Sequence, residues 1–151
     1  MPAPYFDYHA LLPELVLTAT IVVLLVADLI FEEREKWATS TIAGVGLLAA
    51  LVPVLTLAAD GENRVMFGGA YVVDNYALIM KALFLGAAYL TLLISANYVE
   101  EGDYYQGEYY FLILSSVLGM TVMASARDLI TIFVALEMIS IPTFMLAGWR
   151  K

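Results

Sequence analysis

The run LITIFVALEMISIPTFMLAGW, from Leu129 to Trp149, contains a single ionisable residue, Glu137. Its length matches the roughly 20 apolar residues that a helix needs to cross the hydrocarbon core of a bilayer. Lipid offers the backbone no hydrogen-bond partners, so a spanning segment of this length is expected to pair its own backbone groups as a helix. The run therefore predicts a transmembrane helix with one acid near its middle.

The rest of the chain has the same apolar character. The 151 residues are 62% hydrophobic with a mean hydropathy of +0.84, whereas soluble domains are about 45–50% apolar. Five runs are long enough to span a bilayer. We predict an all-α, polytopic transmembrane helix bundle that forms a single domain in the lipid bilayer, with spans at about 11–31, 38–59, 76–98, 109–126 and 129–149.

Charge and composition exclude several classes of function. The formal net charge of −8 argues against binding of nucleic acid, which depends on clustered Lys and Arg. The chain has no cysteine, so thiolate metal sites and disulfides are excluded, and His9 is its one histidine. We therefore expect neither a metal site nor a cofactor site in this chain.

Lys and Arg in the loops set the expected orientation, because they favour the cytoplasmic side of a membrane. An N-terminus on the outside places four basic loop or terminal residues inside and two outside. We therefore expect residue 151 to be cytoplasmic. The four inner residues are Arg34, Lys36, Arg150 and Lys151, and the two outer ones are Arg64 and Arg127.

Two shorter features lie outside the apolar runs. In VMFGGAYVVDNYA, residues 65–77, Gly68 and Gly69 separate short β-branched and aromatic runs, which predicts a small hairpin or an interfacial segment on the outer face. Four tyrosines lie just before and at the start of the fourth span and predict an aromatic belt at the interface, with stacking on a quinone as the alternative. These are residues 104, 105, 109 and 110.

Three ionisable residues lie towards the ends of the spans. Glu14 follows Pro13 at the outer end of the first span, which favours a helix cap. Asp28 lies near the inner end of the same span, where solvent is within reach. Lys81 can extend its ammonium to the headgroups or pair with an acid inside the bundle, and we favour the first. All three are candidate supporting residues of a proton site.

Glu137 is too deep for its short side chain to reach either interface. A charge at the centre of a span costs about 2.5–3.5 kcal/mol on insertion, so this carboxyl has to find a cation, water or a proton. Any of these three environments favours a role for Glu137 as a proton relay. The alternative is a protonated Glu137 that only forms a hydrogen bond between helices. Pro142 frees a backbone carbonyl, and the hydroxyls of Ser140 and Thr143 could help to hold water beside the acid.

The stretch GEYYFLILSSVLGMTVMASARDLITIFVALEMISIPTFMLAGWRK, residues 107–151, resembles subunit N of the bacterial NADH-quinone oxidoreductase, respiratory complex I. The resemblance rests on MASARDL followed by ALEMISIP and then by an aromatic and basic pair. LLPELVL, residues 11–17, with Asp28 near the end of that span, also resembles the start of subunit N, and VDNYALIMK does so more loosely.

This resemblance implies an antiporter-like, proton-translocating subunit of the membrane arm, with about fourteen helices that include two inverted five-helix repeats. The glutamate of the fifth helix, matching Glu137, pairs in that family with a lysine of the broken seventh helix. The chain then corresponds to the N-terminal five helices and holds half of that charge pair. The NADH, flavin, iron–sulfur and quinone sites belong to other subunits, and the partners are the neighbouring membrane subunits in the bacterial inner membrane.

Two other functions fit parts of the sequence. The same scaffold occurs in Na⁺/H⁺ antiporter complexes and membrane-bound hydrogenases, which share the fifth-helix glutamate. A non-catalytic membrane scaffold would use small residues for helix packing, as in GVGLLAA at residues 44–50. A scaffold alone does not account for Glu137.

Overall fold

The computed structural model describes residues 6–31, 37–102 and 106–149. Five of its helices are long and apolar enough to cross a membrane, which confirms the predicted all-α bundle of five spans. A two-stranded hairpin with a single 3-10 turn lies between the second and third helices. The elements are α1 (Tyr8–Ile30), α2 (Trp37–Asp60), β1 (Arg64–Met66), the turn Phe67–Gly69, β2 (Tyr71–Val73), α3 (Asn75–Glu101), α4 (Gln106–Ser125) and α5 (Leu129–Ala147).

Aspartates cap the helices that begin beside the hairpin. The Asp7 carboxylate accepts hydrogen bonds from the backbone at the start of α1, Asp74 does so for α3, and Asp128 for α5. Such caps satisfy backbone N–H groups that have no partner within the helix. Because Asp7 caps α1, Glu14 lies in the second turn, and our interpretation of Glu14 as a helix cap is wrong.

The first four helices surround the core, and α5 lies on the outside. α1 packs on α2 and α4, α3 packs on α2 and α4, and α5 packs chiefly on α4. Two glycines allow close approach: a Cβ on Gly46 would overlap Thr20 of α1, and a Cβ on Gly119 would lie 2.9 Å from the Met138 side chain of α5. Leucine and alanine are the commonest core residues within the described part of the chain, and the leucines with almost no exposure include Leu17, Leu24, Leu47, Leu57, Leu85 and Leu114.

The hairpin closes one end of the bundle and confirms the hairpin predicted from the two glycines. β1 and β2 are antiparallel, and Gly68 and Gly69 adopt the positive φ angles of 65° and 96° that the turn requires. The hairpin is attached to the α4–α5 turn, since the Arg127 backbone N–H donates to the Ala70 carbonyl at 2.8 Å. We call this end, which also contains the first turns of α1, α3 and α5, the hairpin end.

The structure contradicts the predicted aromatic belt at Tyr110. Tyr110 is fully buried in the core, so its assignment to an interfacial belt is wrong, while Tyr109 is half-buried with its ring edge-on to Tyr110. The other two tyrosines of the predicted belt, residues 104 and 105, lie outside the described residues, as do Arg34, Lys36, Arg150 and Lys151.

Candidate proton-transfer site

Glu137 lies in the middle of α5 and points away from the rest of the bundle. It is eight residues from the start of a 19-residue helix, so it lies about 12 Å along an axis of about 28 Å. Its side chain is exposed, and the same side of α5 is otherwise apolar. We call this stripe the Glu137 face; it also contains Ile130, Phe133, Val134, Ile141 and Phe144, which are 52–77% exposed.

The residues expected to support Glu137 divide between two sides of α5. Ser140 is half-buried three residues on, so it lies next to Glu137 along the helix surface. Pro142 is buried, and α5 continues through it to Ala147. The Thr143 hydroxyl donates to the Ile139 carbonyl at 2.6 Å and lies 3.5 Å from the Ser116 hydroxyl of α4. Thr143 therefore faces α4, and the expectation that it helps to hold water at Glu137 is wrong.

Lys81 is fully buried and does not extend to the headgroups. Its Nζ atom lies 2.6 Å from Oε1 of Glu14, whose side chain is 9% exposed. The interpretation that we favoured for Lys81 is therefore wrong, and its alternative, pairing with an acid inside the bundle, is correct. The pair joins α1 to α3, two helices whose backbones do not pack closely on each other within the described residues.

Tyr71 completes this buried cluster, and the sequence analysis did not identify it. The Lys81 ammonium donates a hydrogen bond to the Tyr71 hydroxyl at 2.9 Å and lies 5.1 Å from the centre of its ring. Burial, and the Glu14 carboxylate nearby, raise the pKa of the Tyr71 phenol, and the Ser125 hydroxyl opposes that rise. The phenol thus stays protonated. Alternation along β2 is the signal that could have found it, because Tyr71 and Val73 point inwards and Val72 does not.

A charged rim surrounds the outside of the hairpin end. The Arg64 guanidinium pairs with Asp7 and lies 3.3 Å from the Asp60 carboxylate. Hydrogen bonding to Arg64 holds the pKa of the Asp7 carboxyl below its usual value. His9 lies 3.7 Å from Asp60 and contacts the Thr56 hydroxyl at 3.0 Å. These groups tie β1 to the ends of α1 and α2.

Asp28 lies at the opposite end of α1 and belongs neither to the buried cluster around Glu14 nor to the Glu137 face. It is half-buried against Gly107 of α4, where any larger residue would overlap its carboxylate. Lys81 and Glu137 are not brought together either. Lys81 points into the bundle towards Glu14, whereas Glu137 points outwards from α5. The structure therefore separates the candidate residues into a buried cluster and an exposed relay candidate.

Known proteins resemble the chain over nearly all of its residues. It is 37% identical to NADH-quinone oxidoreductase subunit N 2 of Symbiobacterium thermophilum over 94% of its length. It is 33% identical to NADH-quinone oxidoreductase subunit N of Rubrobacter xylanophilus over 100% of its length. The chain is a homologue of subunit N. The chain spans 30% and 31% of the lengths of these two relatives, and no protein-family model matches it.

A solved structure agrees with the sequence relatives. The chain superposes on a chain of respiratory complex I from Thermus thermophilus with a TM-score of 0.74 and 27% identity, covering 92% of this chain and 29% of that one. The five-helix arrangement is thus one that a complex I chain contains. Together with the five apolar helices, the homology to subunit N confirms the resemblance found in the sequence and identifies a multi-pass membrane protein.

Proposed function

We propose that the chain supplies five helices of a proton-translocating subunit in the membrane arm of a bacterial NADH-quinone oxidoreductase. The subunit N relatives and the complex I match support this role. In this proposal the subunit spans the inner membrane with the hairpin end outside, and its partners are the neighbouring membrane subunits. Electron transfer from NADH to quinone takes place in other subunits, and this chain holds no redox cofactor.

The position of Glu137 carries the proposal. A carboxylate in the middle of a span cannot remain against hydrocarbon, because such a charge costs about 2.5–3.5 kcal/mol even on insertion scales. The Glu137 face is exposed in these five helices, so further protein or a hydrated passage covers it in the full-length subunit. The resemblance implies that a lysine from a later helix approaches this face.

A pair formed by Glu137 and this lysine can take up and release protons when the distance between the two residues changes. A nearby ammonium favours the carboxylate, whereas an apolar environment favours the neutral acid, so the two effects oppose each other. When the pair separates, Glu137 takes up a proton more readily and the lysine releases one more readily. Electron transfer elsewhere in the complex would drive that separation.

The test is Glu137→Gln in the full-length subunit, measured as NADH-driven proton uptake by membrane vesicles. Glutamine keeps the size and the hydrogen bonding but cannot ionise, so the complex should assemble and pumping should fall at least about tenfold. Glu137→Asp retains the charge and should keep partial activity. Glu108→Gln is the matched control, because Glu108 is exposed in the first turn of α4 and should pump normally.

Normal pumping by the Glu137→Gln complex, at normal complex levels, would show that the acid is structural. Sodium uptake in place of proton uptake, abolished by the same variant, would instead assign the chain to an antiporter.

A further inference from the structure

The buried cluster at the hairpin end has the geometry of a second proton-transfer site. Glu14 and Lys81 each lie six residues beyond the first residue of their helices, which places both about 9 Å below the hairpin end. Tyr71 approaches them from β2. Two contacts of hydrogen-bond length connect the three side chains in the order Glu14, Lys81, Tyr71, at 2.6 and 2.9 Å.

We propose that Glu14, Lys81 and Tyr71 exchange protons between the interior of the bundle and the side of the membrane on which the hairpin lies. This proposal rests on the proton transport proposed above and adds a site separate from Glu137. It gives the subunit a defined opening for protons at the hairpin end.

Packing alone does not account for the cluster. A buried ion pair is rarely more stabilising than apolar side chains of the same volume, because both charges lose their hydration. The second carboxylate oxygen of Glu14, Oε2, is also buried, and no described residue donates a hydrogen bond to it. A buried carboxylate oxygen needs a donor or a proton. This oxygen is therefore the position at which a proton from the bundle interior can bind.

The surroundings of the cluster contain few competing charges. The elements packed around it carry ionisable residues at the rim: Asp7 precedes α1, His9 lies on α1, Asp60 ends α2, Arg64 lies on β1 and Asp74 precedes α3. Ser125, at the end of α4, adds a buried hydroxyl next to Tyr71. Between the rim and the ion pair, the Tyr71 hydroxyl can both accept and donate a proton, and it is the hydroxyl that contacts Lys81.

One proton crosses the cluster in two steps. Tyr71 gives its hydroxyl proton to a water molecule that enters from the hairpin end, as an Nζ–H bond of Lys81 breaks and a new O–H bond forms on Tyr71. Lys81 is then a neutral amine, and Glu14 remains a carboxylate. A proton from the bundle interior binds Oε2 of Glu14 and converts it to the acid. Rotation of the carboxyl group turns this O–H towards Nζ, and transfer of the proton to Nζ restores the ion pair. One proton has moved outwards, and the reverse sequence carries one inwards.

Tyr71→Phe tests the relay in the full-length subunit within the assembled complex. Phenylalanine keeps the ring over Lys81 and removes only the hydroxyl, so assembly should be normal and NADH-driven pumping should fall at least about tenfold. Tyr76→Phe is the control, because Tyr76 is 61% exposed in the first turn of α3 and should pump normally. Normal pumping by the Tyr71→Phe complex would overturn the proposal.

An infrared measurement tests the site without relying on electron transfer. Difference spectra of membranes containing the full-length subunit, recorded with and without an imposed proton gradient, should show a carboxylic acid band that shifts in Glu14→Asp. A spectrum without any Glu14 band would identify a static ion pair and overturn the proposal. If Glu137→Gln stops pumping while Tyr71→Phe does not, this inference fails and the proposed function stands; if Glu137→Gln pumps normally, the proposed function itself fails.

Discussion

Lys81 Nζ lies 2.6 Å from Glu14 Oε1, inside a bundle in which the backbones of the first and third helices do not pack closely on each other within the described residues. The ion pair therefore spans the interior between α1 and α3, where α4 and the hairpin also meet. A charge in this position depends on its partner, because both side chains are almost completely buried. That dependence makes the energetic coupling between the two residues measurable.

We expect Lys81→Met and Glu14→Gln to be strongly coupled in a double-mutant cycle. Lys81→Met alone leaves a buried carboxylate without its cation and should lower the free energy of unfolding by about 3–5 kcal/mol. The double variant removes both charges and should recover most of that loss. Denaturation of the full-length subunit in detergent measures all four proteins. A double variant that is less stable than either single one would contradict the coupling.

Gly46→Ala should destabilise the bundle by separating α1 from α2. Its Cβ would overlap the Thr20 side chain, and overpacking of this kind costs about 1–3 kcal/mol. Gly86→Ala is the matched control, since no atom lies within 4 Å of its Cβ position and alanine favours the helix by about 0.5–1 kcal/mol. Thermal denaturation of the two variants should therefore give shifts of opposite sign.

Asp7→Asn should remove a contribution to stability that depends on pH. Hydrogen bonding to Arg64 lowers the pKa of the folded-state carboxyl below its usual 3.8, so ionised Asp7 stabilises the fold above that value. The contribution is lost as the pH falls from 3.8 through the lower folded-state pKa. Asparagine keeps the helix cap, so the variant isolates the charge.

The measurement for Asp7 is the difference in unfolding free energy between the wild type and Asp7→Asn as a function of pH. That difference should be constant near neutrality and should shrink in acid. Glu101→Gln, at the exposed far end of α3, is the control and should follow the wild type throughout. A difference that persists in strong acid would mean that the Asp7 charge is not its cause.

Cysteine labelling should place the hairpin end outside. The native chain has no cysteine, so Glu62→Cys beside the hairpin and Glu101→Cys at the opposite end each provide one reactive thiol. An impermeant reagent should label the first variant in spheroplasts and the second only after permeabilisation. The reverse pattern would invert the proposed orientation and place the opening beneath the hairpin in the cytoplasm.

Sequence reasoning identified the local features of the fold. Each of the five helices was predicted from an apolar run. A spanning segment must be long enough to cross the lipid and must satisfy its own backbone hydrogen bonds, and both requirements can be judged from that segment alone. The hairpin was visible in Gly68 and Gly69, whose positive φ angles the turn requires. The depth of Glu137 also follows from the sequence, since depth is a count of residues along one helix.

The tertiary structure decided which side chains meet. The apolar run around Lys81 permits both a headgroup contact and a buried pair, and the choice depends on Glu14 of a distant helix and Tyr71 of the hairpin. Tyr110 is buried for the same kind of reason: it belongs to a core that residues of α1, α2, α3 and α4 form together. In an almost uniformly apolar helix, hydropathy does not indicate which face packs inwards, because lipid and protein interior are equally apolar. Close contacts between small residues, such as Gly46 against Thr20, fix that choice and turn Glu14 towards Lys81 and Glu137 away from the bundle.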